Sequence, residues 1–307
     1  MRWLDHRDDI TEALRGAVIA LGNFDGFHRG HQAVAGEAIN WAHAEGRPSI
    51  IATFDPHPVR FFKPDVPPFS LTTLEQRQEL YLAAGATAML VFHFDGELAG
   101  TSAQDFIEKI LIERFGAYGV VTGADFTFGQ GAKGNVELLR GFGGACGLKS
   151  RVVEAVESGG VISSSRIREA LREGDPQLAS ELLTRPFAIR GIVEHGDKNG
   201  RKLGYPTANV SIESYLRPKY GVYAVTGKVL ATGEELKGAA NIGIRPQFTP
   251  PKELLEPYFF DFSGDLYGQE IEVAFHHFLR GEAKFDSLDA LMEQMERDCE
   301  EAKRLLS

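Results

Sequence analysis

Residues 17–39 read AVIALGNFDGFHRGHQAVAGEAI, and the elements they imply decide the fold of the first half of the chain. Val18-Ile19-Ala20-Leu21 is a short apolar run cut off at Gly22, the pattern of a buried strand. Gly22 and Asn23 permit a tight turn, and from about Gly30 the residues Val34, Ala38 and Trp41 recur at helical spacing. A strand that turns directly into a helix presents backbone N–H groups at the helix start, a ready anion site. His28 and His31 stand on that turn, three residues apart around Gly30, whose missing side chain lets a phosphate approach the backbone. Two imidazoles there can donate hydrogen bonds to phosphate oxygens. The plainer reading is two surface histidines in a loop, but their place between strand and helix favours the phosphate site. Zinc fits less well, because no Cys or acidic ligand follows at structural-zinc spacing.

Working outward, Ser49–Phe54 reads as a second strand stopped by Asp55-Pro56-His57-Pro58, and Ala88–Phe92 as a third. Thr73 with Gln76 is a capping box for a helix through Leu80 and Leu82 to Gly85. Ser102–Phe115 reads as a helix with Phe106, Ile107, Ile110, Leu111 and Phe115 on one face. Val120-Val121 opens a fourth strand leading into Gly123–Gly129, with a further helix near 136–140 and a strand near 152–156. Strands that alternate with helices and are apolar throughout imply a parallel sheet covered on both faces. Ligands of such sheets bind outside the carboxyl ends of the strands. His28, His31, His57 and the Asp125–Gly129 loop all follow predicted strands directly, which puts them at one edge.

At 307 residues the chain has room for two domains. A formal net charge of -10 argues against a nucleic-acid partner, which normally leaves a basic footprint. Small nucleotides remain compatible, because a magnesium ion and local N–H groups can hold their phosphates. Two cysteines, Cys146 and Cys299, make no disulfide framework and suit a reducing compartment. The first 16 residues carry acidic side chains and no apolar core of the signal-peptide kind, and no apolar run approaches membrane-spanning length. The expectation is a cytoplasmic protein that neither enters a membrane nor binds nucleic acid.

The second half changes texture after Arg185-Pro186, which sets the expected domains at 1–184 and 185–307. Before that boundary, Ser163-Ser164-Ser165 precede a short helix with Ile167 and Leu171, and Asp175-Pro176 caps another that ends near Thr184. Three hydroxyls at a positive helix end, with Arg166 and Arg168 nearby, describe either a capped surface helix or a triphosphate clamp. Beyond the boundary, segments 187–194, 221–229, 236–242, 255–262 and 269–279 are short, β-rich and separated by Gly, Pro and Asp, as in an antiparallel barrel or sandwich. Ser287 caps a final helix whose stripe of Leu288, Leu291, Met292, Met295, Cys299, Ala302 and Leu306 is expected to pack on the barrel, with Met292 and Met295 as core. Residues 191–209 contain no Walker A register. Their glycines and cations, followed by Pro206-Thr207-Ala208-Asn209, suit a phosphate-enclosing flap with magnesium ligands behind it, or more plainly a long hairpin turn.

Three strings carry a resemblance. FDGFHRGH (24–31) resembles the HxGH signature of the nucleotidylyltransferase superfamily, and ISSSRIR (162–168) resembles its ISSTxxR motif, with Ser165 in the threonine position. GRKLGYPTAN (200–209) is similar to the riboflavin kinase motif GRxLG(F/Y)PTAN, supported by Lys219–Tyr223, Asn241–Pro246 and Asp261–Gly268. Together they resemble the bacterial bifunctional riboflavin kinase/FAD synthetase family over nearly the whole chain. That resemblance implies a Rossmann-like α/β domain followed by an antiparallel β-barrel with a C-terminal helix. It implies phosphorylation of riboflavin to FMN and adenylylation of FMN to FAD, each with ATP and Mg2+.

Carried over by position, the resemblance makes His28 and His31 the groups that stabilise the transferred α-phosphate. Ser164, Ser165 and Arg168 would hold pyrophosphate, while Gly22, Asn23, Phe24 and Asp25 would line the ATP pocket. His57, Pro58, Phe62, Asp125 and Phe128 would border the flavin. In the kinase half, Gly200 and Arg201 would enclose nucleotide, Thr207 and Asn209 would bind magnesium and phosphates, and Glu256 would take the proton from the ribityl hydroxyl. Gln247, Pro257 and Tyr258 depart from the family pattern on the kinase side, so an FAD synthetase with an impaired kinase stands as an alternative; a flavin-binding regulator without turnover is a second, of another class.

Overall fold

The computed structural model describes residues 3–195, 205–245 and 252–307. These fall into two compact units: residues 1–67 with 73–163, and residues 68–72 with 164–307.

The first unit is built on a six-stranded, all-parallel sheet in the order β1-β4-β3-β2-β5-β6. Its strands are β1 (Leu4–Asp5), β2 (Val18–Leu21), β3 (Ser49–Asp55), β4 (Ala88–His93), β5 (Gly119–Gly123) and β6 (Lys149–Val153). Alternate residues of one strand feed opposite cores, which is why the strands are apolar without a break. Ile19, Leu21, Ala52, Phe54, Leu90 and Phe92 pack with Phe106, Leu111 and Phe115 on one face. Val18, Ala20, Ile51, Met89 and Val91 pack with Trp41 and Tyr81 on the other. Helix α1 (Arg29–Ala44) follows β2, α2 (Pro58–Phe62) follows β3, and α3 (Leu74–Ala83) precedes β4. The capping box of α3 is formed: Thr73 Oγ1 accepts from Gln76 N–H at 3.3 Å and Gln76 Oε1 from Thr73 N–H at 3.0 Å.

Three details differ from the expectation. β1 is a two-residue edge strand too short to leave a pattern. β6 starts three residues early, at Lys149, because an edge strand tolerates polar residues. Arg151 lies 4.2 Å from the Trp41 ring centroid and Lys149 4.2 Å from that of Tyr118. The helix capped by Ser102 continues from Phe106 to Arg114 as a π-helix, in which Phe115 N–H reaches back five residues to Ile110 O at 3.1 Å.

The second unit holds a closed antiparallel barrel, β10-β11-β8-β7-β12-β9, which decides between barrel and sandwich. Its strands are β7 (Phe187–Glu194), β8 (Asn209–Ser211), β9 (Gly221–Val229), β10 (Glu235–Arg245), β11 (Lys252–Phe259) and β12 (Glu270–Gly281). Ile189, Val210, Val225, Ile242, Leu255, Val273 and Phe275 are fully buried and fill it. β12 is paired along its length by way of two bulges against β9. At Gly221 (φ 149°) a Cβ would stand 2.2 Å from Arg280 O, so only glycine admits that approach. The helices Ser164–Glu173 and Pro176–Leu183 belong to this unit.

The C-terminal helix Leu288–Leu305 is capped by Ser287 as expected, but its stripe is only half core. Ala302 and Cys299 pack with Val222, Ala224 and Ala239, whereas Leu288 (55%) and Met292 (36%) are exposed. The expectation that Met292 is core is therefore corrected. The helix is held instead by a polar anchor: Arg280 grips buried Asp298 through Nε at 3.0 Å and Nη2 at 2.8 Å.

Candidate functional site

The turn after β2 is shaped by its backbone. Phe24 (φ 46°) and Phe27 (φ 44°) are left-handed, with Gly26 (φ 84°) between them, and Phe27 N–H closes on Phe24 O at 3.1 Å. His28 then serves as the N-cap of α1, its Nδ1 accepting from His31 N–H at 3.3 Å. That bond assigns the proton of a neutral His28 ring to Nε2. The two imidazoles stack with centroids 3.6 Å apart and planes at 20°. A Cβ at Gly30 would lie 3.1 Å from His28 Cε1 and 3.5 Å from Ile162 O, so the glycine admits the His28 ring as well as any ligand. The pair therefore sits where the first N–H groups of a 16-residue helix point, and an anion there meets both dipole and imidazole donors.

The neighbouring residues divide into a surface and a support. Gly22 and Asn23 follow β2 directly and are half-buried. Phe24 and Asp25 turn inward: Phe24 meets His31 edge-on at 5.2 Å, and Asp25, 1% exposed, pairs with Arg77 Nη2 at 3.0 Å. Composition and spacing held no signal for Arg77, 52 residues away in sequence.

The expected flavin residues lie after β3 and β5, at the same carboxyl edge of the sheet. His57 caps α2, its Nδ1 accepting from Val59 N–H at 3.2 Å, and Pro58 occupies the first helical position. Phe62 is 63% exposed and joins Phe61 (5.2 Å) and Phe94 (5.8 Å) in an edge-to-face aromatic cluster open to solvent. Asp125 is exposed, while Phe128 is buried between Phe106 (5.4 Å) and Phe126 (5.8 Å). Phe128 and Gly134 exchange backbone hydrogen bonds of 3.1 and 2.8 Å, which closes the loop on itself.

In the second unit, Ser164 and Ser165 open their helix, and Arg168 lies one turn on. Arg168 Nε donates to Phe69 O at 2.8 Å, with its guanidinium 5.0 Å from the Phe69 ring centroid.

The barrel assembles the kinase residues. Asn209 begins β8 opposite Glu194, and Ala208 N–H, between Thr207 and Asn209, donates to Pro257 O at 2.9 Å. That bond fastens the Thr207–Asn209 turn beside Glu256, whose partner across the ladder on β10 is Asn241. Pro257 fits without loss. Its carbonyl faces β8, so its absent N–H would face the same side, beyond the last β8–β11 pair at Leu255–Val210. Tyr258 packs on Tyr205 at 5.2 Å and Phe260 at 5.9 Å. Three residues before Glu256, Glu253 is held by Arg217 Nη2 at 2.7 Å and by the Tyr220 hydroxyl. Burial and that carboxylate push the Tyr220 phenol up to about 12, so it acts as a donor at neutral pH. Gly200, Arg201 and Gln247 lie outside the described residues.

Comparison with known proteins follows the same division. Residues 10–166 match the family model described as FAD synthetase, and residues 183–306 the one described as riboflavin kinase. Two relatives named bifunctional riboflavin kinase/FMN adenylyltransferase are each 39% identical to this chain. The one from Escherichia coli strain K12 aligns over 289 residues, 92% of this chain and 90% of that protein. The one from Bacillus subtilis strain 168 aligns over 304 residues, 97% and 95%. This chain belongs to the bifunctional riboflavin kinase/FMN adenylyltransferase family.

The family architecture extends to a solved structure. A Streptococcus pneumoniae crystal structure described as a macrolide-efflux protein superimposes with a TM-score of 0.86 at 32% identity, covering 97% of this chain and 96% of that one. Among the described residues no helix is long and apolar enough to cross a membrane. In the bifunctional family both domains are enzymatic, so the two residue sets above are two active-site candidates on one chain.

Proposed function

We propose that this chain makes FAD from riboflavin in two ATP-dependent steps, with residues 185–307 forming FMN and residues 1–184 adenylylating it. The observation that carries the reading is the stacked His28–His31 pair capping α1, matched in the barrel by a Thr207–Asn209 turn bonded beside Glu256.

In the first step, Glu256 accepts the proton of the terminal ribityl hydroxyl as its oxygen attacks the γ-phosphorus of ATP, and ADP leaves. Asn241 flanks the carboxylate from the facing strand. The Thr207 hydroxyl and the Asn209 amide oxygen are hard neutral donors, which suits Mg2+, an ion held by few protein oxygens together with substrate phosphates. When bound, Mg2+ would neutralise phosphate charge. Gly200 and Arg201 would enclose the nucleotide. Positioning supplies most of the rate in such transfers.

In the second step, an FMN phosphate oxygen attacks the α-phosphorus of ATP and pyrophosphate leaves. His28, donating from Nε2, and His31 stabilise the charge that gathers on the α-phosphate, helped by the N–H groups of α1. Ser164, Ser165 and Arg168 bind the departing pyrophosphate. Gly22 and Asn23 line the ATP pocket, with Phe24 and Asp25 forming its inner wall. The isoalloxazine lies against Phe62 near His57, Pro58, Asp125 and Phe128, where aromatic faces are on offer. Substrates are small molecules, and the two unpaired cysteines suit the cytoplasm.

The test is incubation of the protein with riboflavin, ATP and magnesium, followed by separation of the flavins. FMN and then FAD should accumulate. FAD from added FMN without FMN from riboflavin would point to an impaired kinase, and binding without ATP consumption to a regulator.

A further inference from the structure

Behind the histidine turn lies a buried polar network centred on Arg77, a residue to which neither reaction step gives a role. The turn itself needs holding, because Phe24 and Phe27 are non-glycine residues in the left-handed region, a conformation that persists only where surrounding contacts impose it. Helix α3 supplies those contacts. Arg77, 5% exposed, donates from Nη2 to Asp25 Oδ1 at 3.0 Å and from Nη1 to Thr53 Oγ1 at 3.2 Å. The Thr53 hydroxyl in turn donates to Asn23 O at 2.6 Å. One turn further along α3, Tyr81 donates to Phe24 O at 3.4 Å and sets its ring 4.9 Å from that of Phe27. On the opposite side of the turn, Phe24 meets His31, Gln32 Nε2 donates to Phe27 O at 2.9 Å, and His28 follows Phe27 in the chain.

We infer that Arg77 is a positioning residue for adenylyl transfer: its guanidinium clamps the Asn23–Phe27 turn from below, and the turn sets where the His28 and His31 rings stand. The inference rests on the roles proposed for those histidines. Stability alone is a poor account of the arrangement. A buried ion pair contributes little to stability over a well-packed apolar replacement, because both charges are desolvated. What an apolar side chain cannot do is reach Asp25 and Thr53 at once with two fixed donors. Arginine has that planar fork and lysine does not, so an ammonium would keep the charge and lose one of the two contacts.

The experiment compares Arg77→Met and Arg77→Lys, each alone and combined with His31→Ala, in the full chain. FMN-to-FAD conversion is measured with FMN and ATP titrated separately, and riboflavin-to-FMN conversion reports on the other unit. Arg77→Met should lower kcat for FAD formation by about 30- to 100-fold, as expected for reacting groups displaced by about 1 Å, with both KM values within about threefold. Arg77→Lys should recover about tenfold of that loss. Once His31 is gone, the Arg77→Met change should cost at least about threefold less than it does in the parent, because the share that acts through the His31 ring is already lost.

The inference is overturned if Arg77→Met stays within threefold of the parent, or if its full loss multiplies onto that of His31→Ala. Should Arg77→Met fail to fold, Arg77→Lys carries the same comparison. An active His31→Ala single variant would instead refute the histidine assignment itself, and is read independently of the Arg77 variants.

Discussion

Replacing Gly30 by alanine separates the placement of His28 from the stability of the helix it caps. The added Cβ would lie 3.1 Å from His28 Cε1 and 3.2 Å from Nδ1, with Ile162 O at 3.5 Å behind it. Contacts that short require the imidazole to give way by a few tenths of an ångström. A 3.3 Å bond to His31 N–H and stacking on His31 are soft restraints compared with the hydrogen-bonded helix backbone, so the ring moves and the backbone does not. A transition-state donor of this kind is worth about 2.7–4 kcal/mol. Losing half of that through misalignment is about 1.4–2 kcal/mol, or roughly 10- to 30-fold in rate. Alanine meanwhile favours the helix over glycine by about 1 kcal/mol, which offsets the ~1 kcal/mol lost with a displaced cap, so the variant should unfold at about the same temperature. The assay is kcat/KM for FAD formation from FMN, with riboflavin phosphorylation as the internal control and thermal unfolding alongside. FAD formation within twofold of the parent, in a protein of undiminished stability, would refute the placement of His28 at the reacting phosphate.

Other outcomes follow from the remaining features. Glu256→Gln should lower FMN formation by ~10²–10⁴, the usual contribution of a general base, while added FMN is still converted to FAD; flavin chromatography checks both. Arg280→Met leaves the buried Asp298 carboxylate without its guanidinium and should destabilise the barrel and C-terminal helix by about 3 kcal/mol in urea unfolding. Burial lowers the pKa of His6, whose Nδ1 accepts from His93 N–H at 3.0 Å. The unfolded chain then binds the extra proton, so the stability His6 contributes is present above the unfolded value near 6.5 and is lost as pH falls below it. Thermal unfolding should show that loss between pH 7 and 5, and His6→Asn, which keeps an acceptor but cannot titrate, should flatten it.

Much of the site was local and therefore readable. A strand, a turn with a glycine where the ring passes, and a helix opening on histidine occupy 23 consecutive residues, so spacing alone places His28 and His31 at a helix start. The α3 capping box and the cap at Ser287 are also contacts between residues three apart in sequence, visible from residue type. The same holds for the apolar strands, whose unbroken hydrophobicity reports burial on two faces.

What sequence could not supply were the partners that only folding brings together. Arg77 and Asp25 are separated by 52 residues, and nothing in either neighbourhood announces the other. Asn241 faces Glu256 only once the β10–β11 register is set. Met292 has the spacing of a core residue yet is exposed, because the Arg280–Asp298 anchor decides which end of the helix packs. Sequence by itself determined most element types, the change of texture between the two halves and which side chains stand on the two turns, since these depend on interactions within a few residues. Tertiary structure alone decided barrel closure, the inward turn of Asp25 and the fastening of the Thr207–Asn209 turn to the strand of Glu256. Those depend on contacts between distant segments, whose pairing no local pattern encodes.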